Sequence, residues 1–309
     1  MKCGLSGRFE LRAVNAKTGV VREEKCFPNM ILNSGLDRFW TGDFGSPCPA
    51  LGVGTSEPQP TDVGLQAMRY EGNYVYTTGS NWIAGKDPDW VSTWKVSWRI
   101  PANAAVGTFT EVGVKGWTPG SPFWCRALIL DEQGNPSTIT VLADEYLDVV
   151  YALNFHPNLE DEVNTFEMSG TTYTVTSRPA VISGVGCGGL SGSTGRIYSM
   201  TGAGSGGMWA TQELGPITGR PSGTGVNTTL ENSYQQQPYE AGSYTKKVLI
   251  SWGLDRANVD GGIGSLVIDE GNPRMTTQMS FNPKIPKNNT NELSLMFAIS
   301  VYRWQGATP

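Results

Sequence analysis

Hydrophobic and polar residues alternate in several stretches of the chain, and the clearest is WVSTWKVSWRI (90–100). Its tryptophans, Val96 and Ile100 have one parity, and the polar residues between them have the other. The same period of two recurs in LDVVYALNF (147–155) and LSLMFAISV (293–301). A period of two is typical of a strand in a sheet with one buried face. We therefore expect three core strands at these positions.

Weaker alternation predicts further strands at 8–14, 20–27, 108–114, 123–130, 138–142 and 248–254. The turn Asn15–Gly19 would join the first two as a hairpin. Two short helices are predicted, Gly35–Trp40 capped by Ser34 and Asp62–Met68 capped by Thr61, because each segment follows a hydroxyl residue. The pattern indicates an all-β protein with two β-sandwich-like domains and one or two short helices in the N-terminal half.

Composition supports this interpretation. The chain has 309 residues, of which 17% are charged, with 39 glycines and 19 prolines. This balance favours turns and extended segments over long surface helices, and the length suits two domains. We expect an N-terminal β domain at 1–156 and a C-terminal β domain at 157–309, divided near Pro157. A glycine-rich excursion at 183–225 would belong to the second domain.

An internal duplication is one of two explanations for a pair of similar segments. LILDEQGNP (128–136) resembles LVIDEGNP (266–273), and each precedes one of the strongest alternating strands. Convergence on the same turn chemistry is the other explanation, because Gly, Asn and Pro are ordinary turn residues.

Charge, hydropathy and cysteines exclude several classes of function. The formal net charge is -5 and the 23 basic residues form no long cluster, so nucleic acid is not an expected partner. No apolar run approaches the roughly 20 residues of a membrane span, and no signal peptide is recognisable at the start. The five cysteines include no C-x-x-C pair, which favours free structural thiols in a cytosolic chain.

SGVGCGGLSGSTGR (183–196) is the stretch that most suggests bound phosphate. Gly184, Gly186 and Gly189 have the G-x-G-x-x-G spacing of a dinucleotide loop. Such a loop needs a helix N-terminus after it, and the following residues have no helical pattern. We expect irregular backbone there, without a bound nucleotide, against a neighbouring subunit or exposed at the edge of the second domain.

No catalytic, cofactor-binding or metal-binding residue is predicted. His156 is the single histidine, so a catalytic triad or a histidine-based zinc site would depend on it alone, and we interpret it as a loop residue. Adjacent carboxylates occur at Asp131–Glu132, Asp144–Glu145 and Asp269–Glu270. Neighbours in an extended segment point to opposite faces, so these pairs are better explained as turns than as a glycosidase pair.

Tryptophans outside the alternating strands are the candidate contact residues. Aromatic faces stack on sugar rings and are also enriched at subunit interfaces. The candidates for interface or glycan contacts are Trp40, Trp82, Trp117, Trp209 and Trp304.

The order of several segments resembles that of a group of tail proteins of tailed bacteriophages. In the first half these segments are FPNMILNSGLDRFW (27–40), LGVGTSEPQPTDVGLQ (51–66), FTEVGVKGW (109–117) and FWCRALILDEQGNPSTITVLADEYLDVVYALNF (123–155). A looser likeness covers GGIGSLVI (261–268) and MSFNPKIPKNNTNELSLMFAISVYRW (279–304). The resemblance carries no catalytic residue and no cofactor.

The resemblance implies a virion component of the tail, assembled in the host cytoplasm as a ring or trimer that contacts other phage tail proteins. Its place would be the neck, the tail tip or baseplate, or the fibre attachment. A receptor-binding module that holds host-surface glycan through exposed tryptophan and tyrosine is the alternative. A depolymerase that works through converging carboxylates is a third hypothesis.

Overall fold

A computed structural model of the chain describes residues 2–41, 47–72, 77–83, 89–180, 208–211, 213–217, 226–227, 232–269 and 276–306. These residues are mostly strands, with one helix, α1 (Asn33–Thr41), so the all-β prediction is confirmed. The strands are β1 (Lys2–Asn15), β2 (Val21–Ile31), β3 (Pro47–Gly52), β4 (Met68–Glu71), β5 (Thr77–Ile83), β6 (Ser92–Ile100), β7 (Gly107–Phe109), β8 (Glu111–Gly116), β9 (Phe123–Leu128), β10 (Ile139–Val141), β11 (Glu145–Pro157), β12 (Glu162–Met168), β13 (Thr171–Pro179), β14 (Met208–Thr211), β15 (Val226–Asn227), β16 (Asn232–Gln236), β17 (Thr245–Trp252), β18 (Ile263–Asp269), β19 (Thr276–Ile285) and β20 (Leu293–Arg303).

The three strands with the clearest alternation form as predicted, as β6, β11 and β20. In each of these strands the hydrophobic residues that share one parity are buried along almost the whole length. In β11, for example, buried and partly exposed positions alternate regularly. The predicted hairpin of β1 and β2 also forms. Its turn is closed by the Gly19 N–H, which donates to Asn15 O at 2.9 Å, while Asn15 Oδ1 accepts from the Thr18 N–H at 3.0 Å.

The larger sheet is organised around β1. One edge of β1 pairs along its length with antiparallel β11, which continues to β6 and β5. Its other edge pairs with β2 through Gly7–Val14 and, in parallel, with β20 through Lys2–Leu5. Beyond its pairing with β1, β2 joins a second set of strands in the order β9, β8, β3, β4, while β20 leads to β17 and β16.

A smaller sheet has the order β12-β13-β19-β18-β14-β15, and β7 pairs with β10. The buried aromatic residues join the layers into one hydrophobic cluster. Within this cluster Phe9 and Tyr151 lie with ring centroids 5.2 Å apart. Trp98 of β6 is fully buried and its Nε1 donates to the Pro47 carbonyl at 2.9 Å, which holds β6 against β3. The larger sheet therefore folds over itself around a common core.

Strand pairing crosses the predicted division at Pro157. The larger sheet contains β16, β17 and β20 from the second half, and β20 pairs directly with β1 at the start of the chain. Buried residues of both halves, such as Trp98 and Trp252, belong to the same cluster. The larger sheet therefore crosses the boundary between the predicted domains 1–156 and 157–309, and the division itself stays a prediction. The parallel pairing between the two ends of the chain leaves no local sequence signal.

One predicted helix is correct and one is wrong. The first forms as α1, but Ser34 lies inside it, and its Oγ donates to the Phe123 carbonyl at 2.5 Å instead of capping the helix. The second, Asp62–Met68, is absent: these residues are irregular backbone with a turn at 66–67, followed by the start of β4. The N–H groups that a helix would use donate instead to the side chain of Glu111, as described below.

Candidate functional site

Two regions of the described structure have unusual polar or surface chemistry: the loop of residues 53–67, called here the 53–67 loop, and a groove between β12 and β20. The loop connects β3 to β4. Val53 N donates to Ala67 O at 2.9 Å, which closes the loop at its base. Its interior is filled by charged side chains from β8 and β9.

Glu111 of β8 is fully buried below the 53–67 loop. Its carboxylate accepts hydrogen bonds from the main-chain N–H groups of Gly54 at 2.9 Å, Gln66 at 3.0 Å and Ala67 at 2.8 Å. The Arg126 Nε of β9 donates to the same carboxylate at 2.9 Å. A buried carboxylate is expensive to desolvate unless it is paired and hydrogen-bonded, and Glu111 meets both conditions.

Arg126 extends the network to the far side of the loop. Its terminal nitrogens donate to Asp62 Oδ2 at 2.6 Å and to the carbonyl of Ser56 at 2.9 Å. Burial raises the pKa of Asp62, but the Gln59 N–H and the Arg126 guanidinium lower it more, so that its pKa lies below the usual 3.8. Glu111 and Arg126 bind main-chain atoms of the 53–67 loop and hold the loop in place, so the arrangement indicates a structural site.

The five candidate tryptophans do not come together. Trp40 is buried in the core, with Nε1 donating to the Tyr244 carbonyl at 2.7 Å, so its ring is not available to a ligand of the single chain. Trp117 is half-buried after β8. Trp82 lies in β5, opposite Trp94, and Trp209 lies in β14. For Trp82 and Trp209 the structure describes the strand position alone.

Trp304 is the most exposed of the candidates that are described, at 39%. Its ring stacks on His156, with centroids 4.5 Å apart and planes 4° apart. His156 lies within β11 opposite Gly4, so the interpretation as a loop residue is wrong. A side chain at Gly4 would place its Cβ 2.8 Å from the Trp304 ring, and the glycine therefore makes room for the stack.

Polar residues continue this surface across the strands. Asn154 Nδ2 donates to Ser6 Oγ at 3.3 Å, and Ser6 Oγ lies 2.8 Å from His156 Nε2. Burial lowers the pKa of His156 below its usual 6.5, and the charge of Asp89 acts in the opposite direction. Ser6 lies directly opposite Asn154 and diagonal to His156 across β1 and β11, which indicates a cross-strand network of the sheet.

The turn interpretation holds for Asp131 but is wrong for Glu145, which is buried at the start of β11 and pairs with a residue distant in sequence. Asp131 accepts from the Asn135 N–H at 2.8 Å in the turn after β9. Glu145 is buried and binds Arg22 Nε at 2.5 Å; this hydrogen bond lowers its pKa despite burial. Among the described residues no group of histidine, cysteine and acidic side chains could hold a metal ion.

Three cysteines, Cys3, Cys48 and Cys125, are buried free thiols, and Cys26 is exposed. Burial raises the pKa of Cys48 to about 11 and that of Cys125 to about 12, so both are unreactive thiols at pH 7. The glycine stretch 183–196 lies outside the described residues, and its interpretation stays a prediction.

The groove between β12 and β20, called here the β12–β20 groove, has a volume of about 710 Å³. Phe166 of β12, Val175 of β13 and Phe281 of β19 form its apolar floor. The rim carries Glu167 and the N-terminal Lys2. The groove is formed by strand edges, which leave no residue pattern in the sequence, so the sequence did not indicate this site.

No helix in the described part of the chain has the length and apolar character needed to cross a membrane. Comparison of the chain with protein-family models, with characterised proteins and with solved structures finds no match.

Proposed function

We propose that the chain is a non-enzymatic structural component of a bacteriophage tail that acts through interfaces between symmetric copies at the neck, the tail tip or the fibre attachment. One observation carries the proposal beyond the sequence resemblance. The segments 27–40, 51–66, 109–117 and 123–155 lie against one another, joined by the contacts of Ser34, Glu111 and Arg126. Their polar groups position backbone, as in a building block whose function lies in its shape.

Two measurements on the intact protein test the proposal. Purified chain at micromolar concentrations should form a ring or trimer of defined mass in light scattering after size exclusion. An antibody against the chain should label the tails of purified particles by electron microscopy. A chain that is strictly monomeric and absent from particles would contradict the proposal.

Binding of host-surface glycan is a second candidate, favoured by the exposure of Trp304 on its stack with His156. A flat aromatic face next to hydroxyl and amide groups suits a sugar ring, and Ser6 and Asn154 supply such groups on the same surface. Trp304→Ala should abolish adsorption of the protein to host cells if this surface binds glycan. Unchanged adsorption by this variant would exclude it.

A further inference from the structure

The β12–β20 groove is lined in an unusual way. Glu162–Met168 contribute every successive residue of β12 to the groove, and Ser294–Ala298 do the same for β20. Side chains of successive strand residues point to opposite faces of a sheet. A strand that lines a groove with consecutive residues therefore presents its edge, where the main-chain N–H and C=O groups are.

Both edges are open over the groove in the part of the chain that the structure describes. β12 ends the smaller sheet and pairs there with β13 alone. β20 pairs with β17 on one side, and on the other side its pairing with β1 begins only at Ser300. Among the described residues, Val163–Met168 and Leu293–Phe297 thus have no second strand partner. Open strand edges are templates for the addition of another chain.

The floor and rim add side-chain specificity to these edges. Phe166 packs on Tyr173 with centroids 5.1 Å apart and meets Phe281 edge-on at 6.4 Å. Apolar residues also stay in solvent beside the groove, with Val163 at 62% and Met296 at 51% exposure. Glu167 is exposed at the rim, where its carboxylate accepts a hydrogen bond from the hydroxyl of Thr172 on the adjacent strand.

We propose that the β12–β20 groove binds an extended polypeptide segment of a partner protein, which adds as a strand between the two edges. The open main-chain groups require an occupant with N–H and C=O groups in a regular extended array. The aromatic floor requires apolar side chains at alternate positions of the segment, and Glu167 favours lysine or arginine opposite it. The inference concerns the chemistry of the groove and stands whether or not the chain is a tail protein.

Selection from a randomised ten-residue peptide library against the intact chain tests this proposal. We expect enriched peptides with alternating apolar residues and one basic residue, and saturable binding of the best peptide in fluorescence anisotropy. Methylation of alternate main-chain nitrogens should weaken binding at least ten-fold in either register, because the N–H groups of one register face β12 and those of the other face β20. Hydrogen exchange should slow at Val163–Met168 and Leu293–Phe297 when the peptide is bound.

Glu167→Lys tests the charge preference most directly, because Glu167 is exposed and its replacement should leave the fold intact. The variant should bind the basic peptide at least ten-fold more weakly and should select acidic peptides, while Glu132→Lys, a distant exposed site, should bind as the wild type does. An absence of enriched peptides, undiminished binding of either methylated peptide, or unchanged preference of Glu167→Lys would overturn the proposal. Concentration-dependent protection of the same amides in the chain alone would identify a second copy as the occupant and would also overturn it.

Discussion

The 53–67 loop and the β12–β20 groove satisfy their main-chain groups in opposite ways. In the loop, three N–H groups without a strand partner donate to one buried carboxylate, that of Glu111. In the groove, the described residues Val163–Met168 and Leu293–Phe297 leave strand edges open. The first region therefore completes its hydrogen bonding within the chain, whereas the second requires water or another chain.

This difference assigns different tasks to similar residue types. Glu111 and Arg126 are charged but inaccessible, so their replacement should change stability and leave surface binding intact. Glu167 is charged and exposed, so its replacement should change binding and leave stability intact. Predictions that separate stability from binding test the comparison directly.

The largest expected effect is that of Arg126→Met. The variant keeps most of the side-chain volume but leaves the carboxylate of Glu111 buried without its cationic partner. Removal of one partner of a buried ion pair typically costs about 3–5 kcal/mol, and we expect a loss of this size in the free energy of unfolding. Urea denaturation followed by tryptophan fluorescence measures it. Arg12→Met, in an exposed ion pair with Glu24, is the control, and equal losses in both variants would contradict the comparison.

A second prediction concerns the close contact of α1 with β9. A Cβ at Gly35 would lie 2.1 Å from the carbonyl oxygen of Trp124, which is backbone and has little freedom to move. Gly35→Ala should therefore lower the free energy of unfolding by about 1–3 kcal/mol through overpacking.

Gly253→Ala provides the matched control for Gly35→Ala, because a Cβ at Gly253 would meet no atom within 4 Å. We expect it to unfold at the same urea concentration as the wild type. A Gly35→Ala variant as stable as this control would show that α1 does not depend on its close approach to β9.

The sequence predicts the parts of the fold that depend on local pattern. Alternation places β6, β11 and β20 correctly because one face of each is buried. The helix predicted at Asp62–Met68 from its hydroxyl cap does not form, since the competing partner of its N–H groups, Glu111, is distant in sequence. The hydrophobic pattern also gives no sign of the parallel pairing of β1 with β20, which joins the ends of the chain.

The candidate site was predictable only in part for the same reason. Trp304 was identified as a surface aromatic, but its stack on His156 depends on the space above Gly4. The β12–β20 groove could not be predicted, because it is formed by strand edges, and an edge is defined by which strands pair and not by any residue pattern.

A third prediction uses acid to release one contact of the 53–67 loop. The pKa of Asp62 is lower in the folded chain than the usual 3.8, so its contribution to stability is present above about pH 4 and is lost as the pH falls through the folded pKa. Asp62→Asn should lower the free energy of unfolding by about 1 kcal/mol at pH 7, because the hydrogen bond from Arg126 to a charged carboxylate becomes a weaker one to a neutral amide.

Thermal unfolding between pH 2 and pH 7 checks this prediction. The melting temperature of the wild type should fall more steeply below about pH 4 than that of Asp62→Asn, and the two should converge at the acidic end. Parallel curves over the whole range would indicate that Asp62 does not take part in the loop network as described.

The smallest effect is expected for an ion pair that resembles the Arg126 network in chemistry but not in burial. Arg99 donates to both carboxylate oxygens of Asp148, at 2.7 Å and 2.8 Å, and its side chain is 50% exposed. Exposed pairs contribute roughly 0–1 kcal/mol, because water and salt screen them, and Asp148→Asn should stay within about 0.5 kcal/mol of the wild type. A loss as large as that of Arg126→Met, measured in the same urea titration, would mean that pairing geometry and not burial determines the stability of this protein.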